Sequence, residues 1–287
     1  MAFTLSSITR EVKFRAPRIA LLGGEKVGKT CFACGCRFEN GELVETGLNS
    51  PIVIPIRGEE GTDELDVPVF PTCDSFPDVM ECIRVLYEDE HKFGMIVLDS
   101  VSSLAPLIND DVCHEFGVEN VRKVPGFRTG EAACEVRWRQ ILAGLDLLRN
   151  TKGMGCVLIG HTRLRKAANQ DADTFDAYDF DLEVPISETI KRWADAILFA
   201  AMKVAIRTEG KDSDFSKAKH KGIDATGGQR YLFTSPRPAN PSGGRGVYGH
   251  LPAEMPLDWA GFQDEVLKAG TRVKELAAAK AATESTE

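Results

Sequence analysis

Residues 23–30 read Gly23-Gly24-Glu25-Lys26-Val27-Gly28-Lys29-Thr30, which matches the P-loop pattern G-x-x-x-x-G-K-[ST] in full. The apolar run over residues 18–22 predicts a short buried strand before it, and a helix is expected to begin at Thr30. Glycines let the backbone curl so that its N–H groups point at phosphate oxygens, and a helix N-terminus adds partial positive charge. The stretch therefore predicts a nucleoside triphosphate site.

The motif also predicts roles for single residues. Lys29 would reach the β- and γ-phosphates, and the Thr30 hydroxyl would bind Mg²⁺. ATP and Mg²⁺ are the predicted ligands. The residues expected to surround the nucleotide are Gly23, Gly24, Glu25, Lys26, Val27, Gly28, Lys29, Thr30 and Cys31.

Composition limits the class of protein. The chain has 287 residues, enough for one large α/β domain or one domain with a small addition. It has no apolar run of membrane-spanning length and no signal-peptide layout before residue 18, so we expect a cytoplasmic protein without a membrane partner. The net charge is −8. Any DNA contact must then be local, on loops, or built by oligomerisation.

The eight cysteines are expected to be reduced in a cytoplasmic chain. Three of them, Cys31, Cys34 and Cys36, suggest a metal site. The alternative is that small side chains in the first turns after the P-loop pack a helix against the sheet. We favour the alternative because no second Cys or His pair follows at finger-like spacing.

Strands and helices alternate along the chain, which predicts an α/β fold with a mainly parallel sheet and helices on both faces. Predicted strands cover residues 18–22, 51–56, 95–98, 156–159, 196–200 and 230–234, and predicted helices cover 75–88, 131–150 and 263–282. Residues 108–130, 163–183 and 209–228 have no clear period. We expect a core over 1–262, then a C-terminal helix and frayed tail over 263–287.

Four predicted strands end in polar groups. They are followed by the P-loop, by Arg57-Gly58-Glu59-Glu60-Gly61, by Asp99-Ser100 and by His161-Thr162. Ligands of open α/β sheets bind at the carboxyl ends of the strands. The arrival of four such groups at one edge is more specific than any one of them.

Each group has a predicted role and an alternative. Asp99 follows four apolar residues, the Walker B pattern, and would hold Mg²⁺ with Thr30, or else cap a helix. Glu59 or Glu60 would polarise the attacking water, or else form a solvated acidic turn. His161 would report loss of the γ-phosphate, or else be a satisfied strand-end histidine. The predicted catalytic residues are Lys29, Glu59, Glu60 and His161, and the metal ligands are Thr30 and Asp99.

These motifs resemble, in order, those of RecA-like recombinase cores. Two later segments, 191–199 and 245–252, look like the phage-encoded RecA-like P-loop ATPases of the Sak-four type, which work with phage single-strand-binding and annealing proteins. The resemblance covers roughly residues 16–262. It implies that Glu59, two residues before Gly61, is the catalytic glutamate with Glu60 as the fallback, and that His161 is the sensor.

The resemblance further implies ATP hydrolysis coupled to single-stranded DNA in phage recombination or annealing, by a homo-oligomeric ring or filament with sites between subunits. A nucleotide-dependent recruiting switch and a small-molecule phosphotransferase remain alternatives. Relatives often read Lys-Asn-Arg-Tyr-Gly near the C-terminal end, whereas Gly244–Gly249 keeps one arginine, Arg245, out of register. This departure puts a role for Arg245 in a neighbour's site in doubt.

Two locally basic segments would face DNA on the RecA-like plan, or else be solvated loops. The first lies within 108–130 and the second follows His161. Their predicted DNA-binding residues are Arg122, Lys123, Arg128, Arg163, Arg165 and Lys166.

Overall fold

The computed structural model describes residues 4, 8, 13–39, 42–45, 50–167, 174–209, 219–224 and 227–284. Its strands are β1 (Arg18–Gly23), β2 (Cys36–Glu39), β3 (Glu42–Glu45), β4 (Pro51–Pro55), β5 (Met95–Asp99), β6 (Gly155–Gly160), β7 (Thr162–Ala167), β8 (Phe175–Phe180), β9 (Ala196–Met202), β10 (Val204–Glu209), β11 (Lys219–Asp224), β12 (Arg230–Phe233), β13 (Gly243–Gly244) and β14 (Glu254–Pro256). Its α-helices are α1 (Lys29–Ala33), α2 (Phe76–Glu88), α3 (Val101–Phe116), α4 (Thr129–Thr151), α5 (Val184–Trp193) and α6 (Trp259–Glu284).

One sheet organises the described residues, with the strand order β14-β12-β9-β1-β6-β5-β4 and β13 paired to β9. The five strands from β9 to β4 are parallel, and β12, β13 and β14 run antiparallel to their neighbours. The strand β1 that leads into the P-loop lies between β9 and β6, in the middle of the sheet. Parallel strands buried on both sides read as continuous apolar runs, which is why their sequences predict them well.

Helices cover both faces of this sheet. In β1, Ala20 and Leu22 join the core under α2, α3, α4 and α5, whereas Ile19 and Leu21 join the core under α1 and α6. On the second face, Phe32 of α1 packs edge-on against Trp259 and Phe262 of α6, with ring centroids 5.2 and 5.7 Å away. The predicted α/β fold, mainly parallel with helices on both faces, is confirmed.

Three sequence expectations need correction. Residues 108–130 are not irregular throughout, because α3 continues to Phe116 with Ile108 and Val112 buried. Residues 163–183 contain most of the antiparallel pair β7–β8, and α5 begins directly after them at Val184; residues 168–173 lie outside the described residues. The last helix begins at Trp259 rather than at residue 263, since its first turn packs on the core. Of the segment 209–228, residues 210–218 and 225–226 lie outside the described residues.

The two late segments that carry the Sak-four resemblance meet at Asp195. This carboxylate precedes β9 and accepts hydrogen bonds from the side chains of Arg18, Arg149 and Arg245. Burial alone would raise the pKa of Asp195, but the hydrogen bonds from Arg18 and Arg245 outweigh it and lower the pKa. Arg245 is therefore part of an ion-pair cluster at the edge where β1 begins, opposite the P-loop.

Candidate nucleotide-binding and hydrolysis site

The parallel register brings four strand ends together. Leu22 of β1 pairs with Gly160 of β6, and Asp99 of β5 pairs with both Ile159 and Pro55. The P-loop, the residue after β6 and the loop after β4 therefore meet around the end of β5. All four sequence-predicted groups lie at this edge.

Lys29 is buried in the P-loop, with a relative exposure of 6%. Its ammonium donates hydrogen bonds to the carbonyl oxygens of Gly23 at 3.1 Å and Gly24 at 2.8 Å. Burial lowers the pKa of Lys29, although the charges of Asp99 and Glu59 act in the opposite direction. A buried cation bonded to two neutral carbonyls is not fully compensated, so the position fits an incoming anion such as phosphate.

Thr30 and Asp99 form the next part of the site. The Thr30 hydroxyl donates to Asp99 Oδ2 at 2.6 Å, and Asp99 is 4% exposed. Burial raises the pKa of Asp99, against the effect of the Thr30 hydrogen bond. Ser100, not Asp99, caps α3, because its side chain accepts from the backbone N–H of Ser103. The helix-cap alternative for Asp99 is therefore wrong.

The Thr30–Asp99 pair fits Mg²⁺. Both side chains present oxygen, the ligand atom that this cation prefers, and Mg²⁺ takes its other ligands from water and substrate phosphates. Such a site needs only one or two protein groups. Within the described part of the chain, no group of three or more His, Cys, Asp or Glu side chains is arranged around a cation position.

Glu59 is held by three donors that converge on one oxygen. Its Oε1 accepts hydrogen bonds from Ser100 Oγ at 2.6 Å, Ser103 Oγ at 2.6 Å and His161 Nε2 at 3.1 Å. No described residue donates to Oε2. Burial would raise the pKa of Glu59, but the bonds from His161, Ser100 and Ser103 outweigh it and lower the pKa to about 2. The carboxylate therefore stays ionised, with one oxygen anchored and the other available.

Glu60 lies outside this cluster. It is exposed and takes no part in this hydrogen-bond cluster. Of the two candidate glutamates, Glu59 lies in the site, whereas Glu60 is a solvated acidic residue.

His161 connects the site to β7. Its ring donates to Glu59, its backbone N–H donates to Ser102 Oγ at 3.0 Å, and its Nδ1 is buried without a partner among the described residues. The hydrogen bond with Glu59 raises the pKa of His161, against the effect of burial. The ring thus keeps its proton to higher pH than usual and remains a donor to Glu59. His161 is therefore not a fully satisfied strand-end histidine.

Gly61 lets the Glu59 loop touch the P-loop helix. A Cβ at position 61 would lie 2.9 Å from Thr30 Oγ1, closer than real Cβ contacts. Only glycine allows this approach without moving Thr30. The residue that follows the two candidate glutamates therefore brings their loop against the predicted Mg²⁺ ligand.

The basic residues after His161 are largely engaged within the hairpin. Arg163 and Arg165 both donate to the carbonyl oxygen of Leu182, and Arg165 also lies 3.3 Å from a carboxylate oxygen of Asp179. Lys166 is exposed and pairs across the strands with Asp176 at 2.9 Å. Removing all three charges would disturb the hairpin itself, so Lys166 is the cleaner position for testing a DNA contact.

The other basic segment carries a feature that the sequence prediction missed. Arg122, Lys123 and Arg128 are exposed, and Phe127 among them is 95% exposed. The signal was an aromatic residue directly after a Pro-Gly turn and between cations. Arg122 and Arg128 line a cavity of about 480 Å³ that also reaches Leu182. Arg163 and Arg165 donate to the carbonyl oxygen of Leu182, so the two predicted DNA segments both approach this residue.

The cysteines after the P-loop do not all belong to one helix. Because α1 ends at Ala33, Cys34 follows the helix and Cys36 opens β2. Cys34 and Cys36 are buried in the core beside α1, as the packing alternative expects, and all eight cysteines are free thiols.

A P-loop at the end of a central parallel strand, with an aspartate at the end of the next-but-one strand, defines an α/β P-loop NTPase fold. Residues 15–246 match the model of a family described as AAA domain, and the chain belongs to this family. The crystal structure of the RadB recombinase is similar with a TM-score of 0.36 and 13% identity, covering 76% of this chain and 88% of that one. Comparison with curated proteins gives no match.

Among the described helices, none combines the length and the apolar character needed to cross a bilayer.

Proposed function

We propose that the protein is an ATPase whose hydrolysis is coupled to single-stranded DNA in recombination or annealing, as in the phage proteins of the Sak-four type. The observation that carries the proposal is the state of Glu59. Three donors anchor its Oε1, its pKa is about 2, and its loop touches Thr30 beside Asp99. A site that only bound nucleotide would not need an ionised carboxylate held in this way.

In this proposal Lys29 binds the β- and γ-phosphates, and Thr30 and Asp99 hold Mg²⁺. When bound, Mg²⁺ supplies positive charge that neutralises the phosphate oxygens. Glu59 Oε2 accepts a hydrogen bond from the attacking water and orients it, while Oε1 keeps the carboxylate in place. His161 holds Glu59 and directly precedes β7, so a change at the γ-phosphate reaches the hairpin through one residue.

Turnover of MgATP with and without single-stranded DNA tests this proposal. We expect phosphate release by the purified protein and an increase on adding single-stranded DNA. Hydrolysis that DNA leaves unchanged would contradict the coupling. Binding without hydrolysis would favour the recruiting switch, and transfer of the phosphoryl group to a small molecule instead of water would favour the phosphotransferase.

The DNA contact makes a separate prediction at Phe127. Base–aromatic stacking contributes about 1–3 kcal/mol per base, so Phe127→Ala is expected to weaken single-strand binding by roughly 5- to 150-fold. Its salt dependence should not change, because no charge is removed. Arg122→Ala should lower the slope of log K against log salt by roughly 0.7 if it contacts one phosphate. Fluorescence anisotropy across a salt series measures both effects.

Tyr87→Ala is the matched control for Phe127→Ala. Tyr87 is also an exposed aromatic residue, but it lies near the C-terminal end of α2, in the part of the chain that leads into the start of β5. Its replacement is expected to leave DNA affinity unchanged. Equal affinities of Phe127→Ala and the unaltered protein would show that this loop is a solvated surface only.

A further inference from the structure

Arg230 lies at the same sheet edge as the P-loop, on a strand that the sequence analysis gave no functional role. It is the first residue of β12 and is exposed. It pairs with Met202 of β9, while Gly23 at the start of the P-loop pairs with Ala200 of the same strand. The register therefore places Arg230 just beyond the level of Gly23, on the nucleotide side of the sheet.

The Arg230 side chain reaches the P-loop itself. A Cβ built at Gly28 would lie 2.8 Å from Nη1 of Arg230 and 3.7 Å from Cδ2 of Leu257. Gly28 also has a φ of 95°, which favours glycine. Leu257 is fixed beside Arg230 because its N–H donates to the Arg230 carbonyl oxygen at 3.0 Å. Thus a guanidinium and an apolar side chain border the P-loop just before Lys29.

The Arg230 guanidinium forms no salt bridge within the part of the chain that the structure describes, although, beside the hydrogen bond with Cys36, its charge helps to lower the pKa of the Cys31 thiol. Neighbouring cations differ in this respect, since Lys203 and Arg237 both pair with Glu254. A guanidinium has five donors, and it matches phosphate oxygens with two parallel hydrogen bonds. An exposed, unpaired guanidinium against the loop that cradles phosphate is well placed for a ligand of that chemistry.

We infer that Arg230 binds the phosphate chain of a nucleotide held in the same subunit's P-loop, with Leu257 beside it. This inference rests on the proposed nucleotide-binding function. The backbone of the P-loop cradles the α- and β-phosphates, whereas the lysine reaches the β- and γ-phosphates. Because Arg230 lies against backbone at Gly28, its contact is with phosphates that ATP and ADP share.

Arg230→Ala is therefore expected to lower the affinity for MgADP and for a Mg²⁺-bound non-hydrolysable ATP analogue by the same factor. The factor is roughly ten- to a hundredfold, the contribution of a charged hydrogen bond. Arg230→Lys should restore part of the affinity, since it keeps the charge and loses the planar fork. Isothermal titration calorimetry measures both nucleotides. Inorganic tripolyphosphate has phosphates but no base or ribose. Its affinity, measured by competition, should therefore fall by the same factor if Arg230 contacts phosphate.

Arg139→Ala is the control, because Arg139 is an exposed arginine on α4 that pairs with Glu135. It should bind both nucleotides like the unaltered protein, and thermal unfolding should be unchanged in all variants. Unchanged nucleotide affinity in Arg230→Ala would overturn the inference while leaving the proposed function intact. A loss of affinity for MgADP without a loss of affinity for tripolyphosphate would overturn the assignment of Arg230 to phosphate. Failure of the unaltered protein to bind MgADP or the ATP analogue would overturn the proposed function, and this inference with it.

Discussion

Replacing Glu59 with glutamine is expected to lower ATP turnover by about two to four orders of magnitude while MgATP still binds. Oε1 is anchored by the hydroxyls of Ser100 and Ser103, which can also donate to an amide oxygen. The amide NH₂ then takes the place of Oε2. An NH₂ group donates hydrogen bonds and accepts none, so it cannot accept the hydrogen bond that orients the attacking water. Binding should persist because Lys29, Thr30 and Asp99 are untouched.

The matched control is Glu60→Gln, which makes the same chemical change one residue away on an exposed side chain. Its turnover is expected to stay within about twofold of the unaltered protein, in line with the small effects of surface substitutions. Single-turnover hydrolysis and equilibrium binding of MgATP separate the chemical step from affinity. Normal turnover by Glu59→Gln would show that Glu59 is not the catalytic glutamate, and a loss of turnover in Glu60→Gln would then point to Glu60.

The pKa directions restrict how this activity depends on pH. Because the pKa of Glu59 is about 2, the carboxylate remains ionised at every pH at which enzymes are ordinarily assayed. The raised pKa of His161 means that the ring is charged below that pKa and becomes neutral as pH rises through it. Its ion-pair contribution with Glu59 is therefore fully present at low pH and is lost on the alkaline side.

The edge of the sheet was predictable from the sequence, and the reason is geometric. A run such as 95–98 followed by Asp99 indicates a buried parallel strand with a polar group at its carboxyl end. Parallel strands in one sheet align these ends, so separate motifs converge without any knowledge of their contacts. The choice between Glu59 and Glu60 was not predictable to the same degree. It depends on Ser100 and Ser103, which lie about forty residues away in sequence.

Other features depended on contacts that no local pattern carries. Arg230 is a strand residue with ordinary sequence surroundings, and its position against Gly28 follows only from the antiparallel pairing of β12 with β9. The hairpin after His161 was missed because its strands are rich in charged residues, which cross-strand pairs such as Lys166–Asp176 accommodate. For α3 a local signal existed, since Leu104, Ile108 and Val112 recur at helical spacing.

Lys29→Ala is expected to remove MgATP binding at any practical concentration and to leave no measurable turnover. The substitution deletes the buried ammonium that meets the β- and γ-phosphates, and a single charged group of this kind contributes about a hundredfold or more. Without nucleotide, however, the fold should not suffer. Burial lowers the pKa of Lys29, so the charged side chain destabilises the folded state at pH values below its unfolded pKa. The variant also loses the hydrogen bonds of Lys29 to two backbone carbonyls, which partly offsets the stability gained by removing the buried charge.

Thermal unfolding with and without MgATP tests this pair of expectations. A ligand that binds the folded state at about a hundred times its Kd stabilises by about 2.7 kcal/mol, so nucleotide should raise the unfolding temperature of the unaltered protein. The Lys29→Ala variant should unfold at a similar or higher temperature than the unaltered protein in the absence of nucleotide, and MgATP should not shift it. Lys268→Ala, which removes an exposed lysine on α6, should keep the full shift. A variant that lost both the shift and its own stability would mean that Lys29 supports the fold. A full shift without Lys29 would mean that phosphate is bound elsewhere, because no other charge in the P-loop is buried against its backbone.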